Sequence, residues 1–128
     1  MNKFRNRIIT ASAGTGKTYR LSLEFIAIVL QYFNYPDFKL DSILALTFTK
    51  KATAEIRERI LSQMDELTGN GENKLSLLKS LRTLVPGPDA ALTDTELMIL
   101  QQARMLIKTD HNNLQVMDWR EYAAAVPE

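Results

Sequence analysis

The chain has 128 residues, a length that allows one domain with a single hydrophobic core. Its hydrophobic content of 45% is ordinary for a globular protein, and the lack of cysteine together with a single histidine, His111, excludes disulfides, thiol catalysis and Cys- or His-rich metal centres. The net charge of +1 is the sum of +5 over residues 1–60 (ten Lys/Arg, five Asp/Glu) and −4 over residues 61–128 (six Lys/Arg, ten Asp/Glu). The positive first half suits anionic ligands; the alternative is ordinary variation of surface charge.

The first predicted elements are a short buried strand at Ile8-Ile9, a glycine-bearing loop and a helix from Thr18 to about Phe33. The loop fits the phosphate-binding pattern G-x-x-x-x-G-K-[ST] with Ala in place of the first Gly. Its residues are Ala11, Ser12, Ala13, Gly14, Thr15, Gly16, Lys17 and Thr18. The glycines let several backbone N–H groups surround a polyphosphate, Lys17 would reach the β- and γ-phosphates, and Thr18 would ligate Mg²⁺. A simple glycine turn with a solvated lysine is the alternative.

The next apolar run, from Ser42 to Phe48, predicts a parallel strand buried on both faces. Together with the preceding strand and helix it makes a βαβ unit, whose ligands bind at the carboxyl ends of the strands. Thr49 is the predicted N-cap of a helix from Lys50 to about Leu67.

Further helices are predicted from Lys74 to Leu84 and from Thr93 to about Lys108, the first carrying Leu75, Leu78 and Leu81 and the second opened by a capping box of Thr93 and Glu96. A short strand from Leu114 to Met117 and a final helix from Trp119 to Val126, capped by Asp118, complete the chain. The apolar-rich stretch from Leu21 to Tyr35 is too short to span a bilayer, and the start is not a signal peptide. We therefore expect a cytoplasmic protein without a membrane partner.

The turn after the second strand carries a second candidate site, formed by Thr47, Phe48, Thr49 and Lys50. Hydroxyls, backbone N–H groups and lysines at such a turn would contact backbone phosphates, and the ring would stack on a base. The alternative is a capped helix with solvated lysines and Phe48 in the core.

The two motifs together resemble motifs I and Ia of the UvrD/Rep helicase superfamily, with the closest likeness to its RecB and AddA helicase–nuclease branch. The resemblance covers residues 7–67 well and residues 93–117 more weakly. It implies a partial RecA-like P-loop NTPase domain of α/β class, with residues 1–68 as part of the ATP-binding motor, 69–113 as a helical insertion and 114–128 as a strand start with a divergent tail.

By this resemblance Gly14 to Thr18 would bind Mg-ATP, and Thr47 to Lys50 would contact single-stranded DNA. Members of the family are ATP-dependent DNA helicases that move 3′ to 5′ and act in recombination and repair. Lys50 and Thr53 depart from a common asparagine and alanine. The remainder of a helicase–nuclease would be the partner.

Three departures lead us to expect an inactive fragment. The chain has no apolar strand ending in Asp-Glu for Mg²⁺ and water, and Met117 is not followed by Thr-Ile-(His/Asp)-Ser-Phe. The arginines that would stabilise γ-phosphate transfer cannot be identified either. The alternatives are a small P-loop phosphotransferase and an inactive interaction domain that self-associates through exposed apolar helices.

Overall fold

A computed structural model describes residues 7–10 and 15–125, with only the backbone described for residues 15–17. These residues form a parallel sheet and a layer of helices. The strands are β1 Arg7–Thr10, β2 Ile43–Thr47 and β3 Gln115–Asp118. The α-helices are α1 Thr15–Tyr32, α2 Lys50–Thr68, α3 Lys74–Leu81, α4 Asp94–Thr109 and α5 Trp119–Ala125, and short 3₁₀ helices cover Leu40–Ser42 and His111–Asn113.

The strands lie in the order β1-β2-β3, and both neighbouring pairs are parallel. Thr10 is paired with Leu46, and Thr47 is paired with Asp118, so the carboxyl ends of the strands lie at one edge. The predicted α/β class, with parallel strands and flanking helices, is confirmed.

Successive strand side chains point to opposite faces of the sheet, and the two faces are covered to different degrees. Ile43, Ala45 and Val116 are buried in the main apolar cluster, which also holds side chains of α1, α2, α3 and α4. On the other face Leu44 is half-buried and Ile8 is 53% exposed. The prediction that β2 is buried on both faces is confirmed at Leu46, which is 1% exposed, and is wrong at Leu44. The predicted burial of the first strand at Ile8-Ile9 is also wrong, because Ile8 is exposed and Ile9 is only half-buried.

The predicted helices are all present, with small differences at their ends. α3 ends at Leu81, before the predicted Leu84. Leu75, which the sequence placed on the apolar face of this helix, is 64% exposed, whereas Leu77 is buried. Leu77 takes that place because α3 packs on α1 and α2 through Leu77, Leu78 and Leu81. Among the described residues, no helix has the length and apolarity needed to cross a bilayer.

The predicted helix caps are also observed. The Thr49 hydroxyl accepts the Ala52 N–H at 3.0 Å, and the Thr93 hydroxyl accepts the Glu96 N–H at 3.1 Å. Helices from residues 69–113 share the main apolar cluster with the sheet. The division of the chain at residues 68 and 113 stays a prediction.

Candidate functional site at the carboxyl edge of the sheet

The site is built where β1 and β2 end and long helices begin. α1 has 18 residues and α2 has 19, and neither has an acidic residue in its first turn. The unpaired N–H groups and the positive dipole end of each helix therefore lie near the carboxyl edge of the sheet. This arrangement favours anionic ligands at two neighbouring positions.

The phosphate-loop prediction falls partly outside the described residues. Ala11, Ser12, Ala13 and Gly14 lie outside them, between the end of β1 and the start of α1. Thr15, Gly16 and Lys17 form the start of α1 by their backbone, and Thr18 follows within the same helix. The predicted roles of these residues stay predictions.

The turn from β2 into α2 is held by three threonines. The hydroxyl oxygens of Thr47 and Thr53 lie 2.7 Å apart, and each lies 3.1 Å from the Thr49 carbonyl oxygen. Thr47 is only 1% exposed, and its hydroxyl also lies 3.3 Å from the Met117 carbonyl oxygen. Its hydroxyl is thus used inside the protein, where it holds the turn, and its predicted DNA contact stays a prediction.

Phe48 and Lys50 lie on the outside of the same turn. Phe48 is 60% exposed, so the alternative that it is a core residue is wrong. Lys50 and Lys51 are exposed as well, and Thr49 is exposed while its hydroxyl caps α2. The turn therefore offers an accessible ring beside accessible cations and a helix N-terminus.

The end of β3 extends this edge with residues that sequence reasoning had assigned to a divergent tail. Asp118 is 3% exposed, and its carboxylate accepts the Glu121 N–H at 2.8 Å, which caps α5 as predicted. Trp119 is 44% exposed and packs edge-to-face on Tyr122, with 6.0 Å between ring centroids. Thr53 was the other residue missed. The role of Thr53 follows from the contact of its hydroxyl with that of Thr47, and the place of Trp119 follows from the pairing of Thr47 with Asp118.

The acidic pair Asp65-Glu66 lies on α2 and not at a strand end. The Asp65 carboxylate forms a salt bridge with the guanidinium of Arg104 on α4, which links the two helices. Among the described residues, no group of three or more His, Asp or Glu side chains is arranged to hold a metal ion. His111 is exposed.

Comparison with known proteins gives one family and a consistent set of relatives. The family model for the UvrD/REP helicase N-terminal domain matches residues 3–120. The chain is 40% identical over 65 residues to the RecBCD enzyme subunit RecB of Escherichia coli, a match covering 48% of this chain and 6% of that protein. It is 35% identical over 79 residues to an ATP-dependent helicase/nuclease subunit of Clostridium beijerinckii, covering 62% of this chain and 6% of that protein. No solved structure gives a significant match.

A third relative, RecBCD enzyme subunit RecB of Haemophilus influenzae, is 41% identical over 69 residues, which cover 48% of this chain. In each of these relatives the matched region spans about 6% of the protein's length. The resemblance drawn from the two motifs is confirmed by these matches.

Proposed function

This chain belongs to the UvrD/REP helicase N-terminal domain family, and from that membership we propose that it is the part of a helicase motor that binds ATP and contacts single-stranded DNA. The observation that carries the proposal is the shared carboxyl edge of β1 and β2, with a long helix starting after each strand. The whole protein would act in DNA recombination and repair in the cytoplasm, as part of a helicase–nuclease.

The start of α1 fits Mg-ATP by its chemistry. No acidic side chain stands in the first turn to repel phosphate, and four residues separate β1 from α1 along the chain. Gly14, Thr15, Gly16, Lys17 and Thr18 would hold the nucleotide, with Thr18 as the Mg²⁺ ligand and Ala11 to Ala13 completing the loop. The bound Mg²⁺ would neutralise phosphate charge, and Lys17 would add a cation beside it.

The turn into α2 fits a nucleic-acid strand. The exposed Phe48 ring offers a stacking surface, and Lys50 and Lys51 offer cations to phosphates. Thr49 presents its backbone at the helix N-terminus, and Thr47 with Thr53 holds the turn in shape. Single-stranded DNA is the ligand we assign here, because an accessible ring can stack on unpaired bases.

We further propose that the isolated chain does not turn over ATP. Catalysis of phosphoryl transfer needs a group that positions the attacking water, and the described residues contain no acidic pair at a strand end. Appreciable ATP hydrolysis stimulated by single-stranded DNA would contradict this part of the proposal. Phosphate transfer to a small acceptor would instead support a phosphotransferase.

Nucleotide binding is tested by titrating the full chain with a fluorescent ATP analogue and Mg²⁺. We expect saturable binding that is lost in Lys17→Ala, because the cation beside the phosphates is removed. Lys79→Ala is the matched control, since Lys79 is an exposed lysine on α3. Equal binding by wild type and Lys17→Ala would reject the phosphate-loop assignment.

DNA binding is tested by fluorescence anisotropy with a labelled oligothymidylate at low ionic strength. We expect Phe48→Ala to weaken binding about 5- to 100-fold, the range for loss of one stacked base. Leu75→Ala removes another exposed apolar side chain, on α3, and should leave affinity unchanged. Absence of oligonucleotide binding by the wild-type chain would overturn the DNA part of the proposal.

A further inference from the structure

The end of β3 carries an aromatic side chain at the position that corresponds to Phe48 on β2. Thr47 and Asp118 are paired across the two parallel strands, and both side chains are buried. The next residues are Phe48 and Trp119, which are 60% and 44% exposed. The two exposed aromatic residues therefore follow directly after paired positions at the carboxyl ends of neighbouring strands.

We propose that Trp119 is a second base-stacking residue, which holds the nucleotide next to the one on Phe48. This inference rests on the proposed function, because it extends the same DNA-binding edge from β2 to β3. Neighbouring strands lie about 4.8 Å apart, a spacing that places consecutive ring-bearing positions within reach of consecutive bases. The ligand class is single-stranded DNA, read without sequence preference.

The surroundings of Trp119 suit this role. Tyr122 packs against it edge-to-face with an interplanar angle of 88°, which orients the indole while leaving it partly exposed. Arg120 is exposed one residue further on, and Lys50 and Lys51 are exposed at the end of β2. These cations would contact the phosphates between stacked bases.

The acidic groups at this edge do not cancel that charge. Asp118 is buried and its carboxylate is bonded to the N–H of Glu121 in α5. Glu121 is exposed, so with Asp118 two carboxylates stand against three cations, Lys50, Lys51 and Arg120. The edge that carries both aromatic residues is therefore net positive among the side chains named here.

Trp119 is the only tryptophan in the chain, so its own fluorescence reports directly on stacking. We would titrate the full chain with unlabelled oligothymidylate and follow indole emission, and measure affinity separately by anisotropy of the labelled oligonucleotide. We expect quenching of Trp119 emission at the concentrations where anisotropy rises. Trp119→Ala should weaken binding about 5- to 100-fold, and Trp119→Phe should retain most of the affinity.

The outcomes separate this inference from the proposed function. If Phe48→Ala weakens binding while Trp119→Ala does not, and wild-type emission is unchanged by bound DNA, the role of Trp119 is rejected and the proposed function stands. If the wild-type chain binds no oligonucleotide, both are rejected. If Trp119→Ala unfolds the chain, Trp119→Phe affinity and wild-type quenching still decide the question. Unchanged DNA affinity with self-association relieved in Trp119→Ala would assign the ring to packing between copies, and would also reject it.

Discussion

The carboxyl edge of the sheet and the outer helices α3 and α4 use polar residues in opposite ways. At the sheet edge, Phe48, Lys50 and Lys51 are exposed. Around α3 and α4, Arg82 makes two hydrogen bonds of 2.7 and 2.8 Å to the Glu96 carboxylate, and the side chains are only 5% and 12% exposed. Charged side chains are therefore exposed in one region, where we propose that they contact ligands, and hold the fold together in the other.

Arg82 organises the whole connection between α3 and α4. Beyond Glu96, its guanidinium donates to the carbonyl oxygens of Pro88 at 2.8 Å and Ala91 at 3.2 Å. Gly87 passes so close that an added Cβ would lie 2.4 Å from Arg82 Nη1. The position of a charged residue in the sequence does not show whether it is exposed or holds the fold together. The groups that it contacts do show this.

The largest effect is expected from breaking the Arg82–Glu96 pair. Glu96→Ala should lower the free energy of unfolding by about 3 kcal/mol, because it leaves a buried guanidinium without its carboxylate. Urea denaturation followed by circular dichroism measures this loss. Glu24→Ala breaks the exposed Arg20–Glu24 pair of α1 and should cost about 0.5 kcal/mol or less, so equal losses in the two variants would contradict the distinction.

The pair also gives stability a defined pH dependence. Hydrogen bonds from Arg82 lower the pKa of Glu96 below its ordinary value, and Glu96 in turn raises the pKa of Arg82. A lowered folded-state pKa means that this stabilisation is complete above the unfolded pKa of Glu, about 4.3, and is lost as the pH falls through the folded pKa. Glu96→Gln should therefore flatten the acid limb of the stability curve.

The sequence predicts most of the fold because its signals are local. Strand runs, helix periodicity and the caps at Thr49 and Thr93 depend on residues close in the chain, and the structure has each of them. The Arg82–Glu96 pair joins residues 14 positions apart, and Thr47 meets Met117 across 70. Contacts of that range depend on packing, which residue spacing does not encode. For the site, the sequence placed Phe48 and Lys50 at a strand end but missed Thr53 and Trp119.

A smaller effect is expected from removing the two helix caps. Thr49→Ala and Thr93→Ala should each lower the free energy of unfolding by about 1 kcal/mol, because each leaves a helix N-terminus without a side-chain acceptor. Only Thr49→Ala should also weaken oligonucleotide binding, since Thr49 lies at the proposed DNA edge. Equal effects of the two variants on DNA affinity would reject the separation of roles between the two regions.

The smallest effect is expected at Gln63, a buried polar residue whose side chain has no hydrogen-bond partner among the described residues. It is 4% exposed, neither of its amide atoms has a hydrogen-bond partner in the described part of the chain, and it lines a groove of about 910 Å³ along α2. Burying an unpaired amide is costly, so Gln63→Met, with similar length and no such group, should raise the free energy of unfolding by about 1 kcal/mol. Gln102→Met changes an exposed glutamine of α4 and serves as the control. If Gln63→Met destabilises the chain instead, the amide is bonded in the folded protein, and α2 then carries polar contacts on this face as well as at its N-terminus.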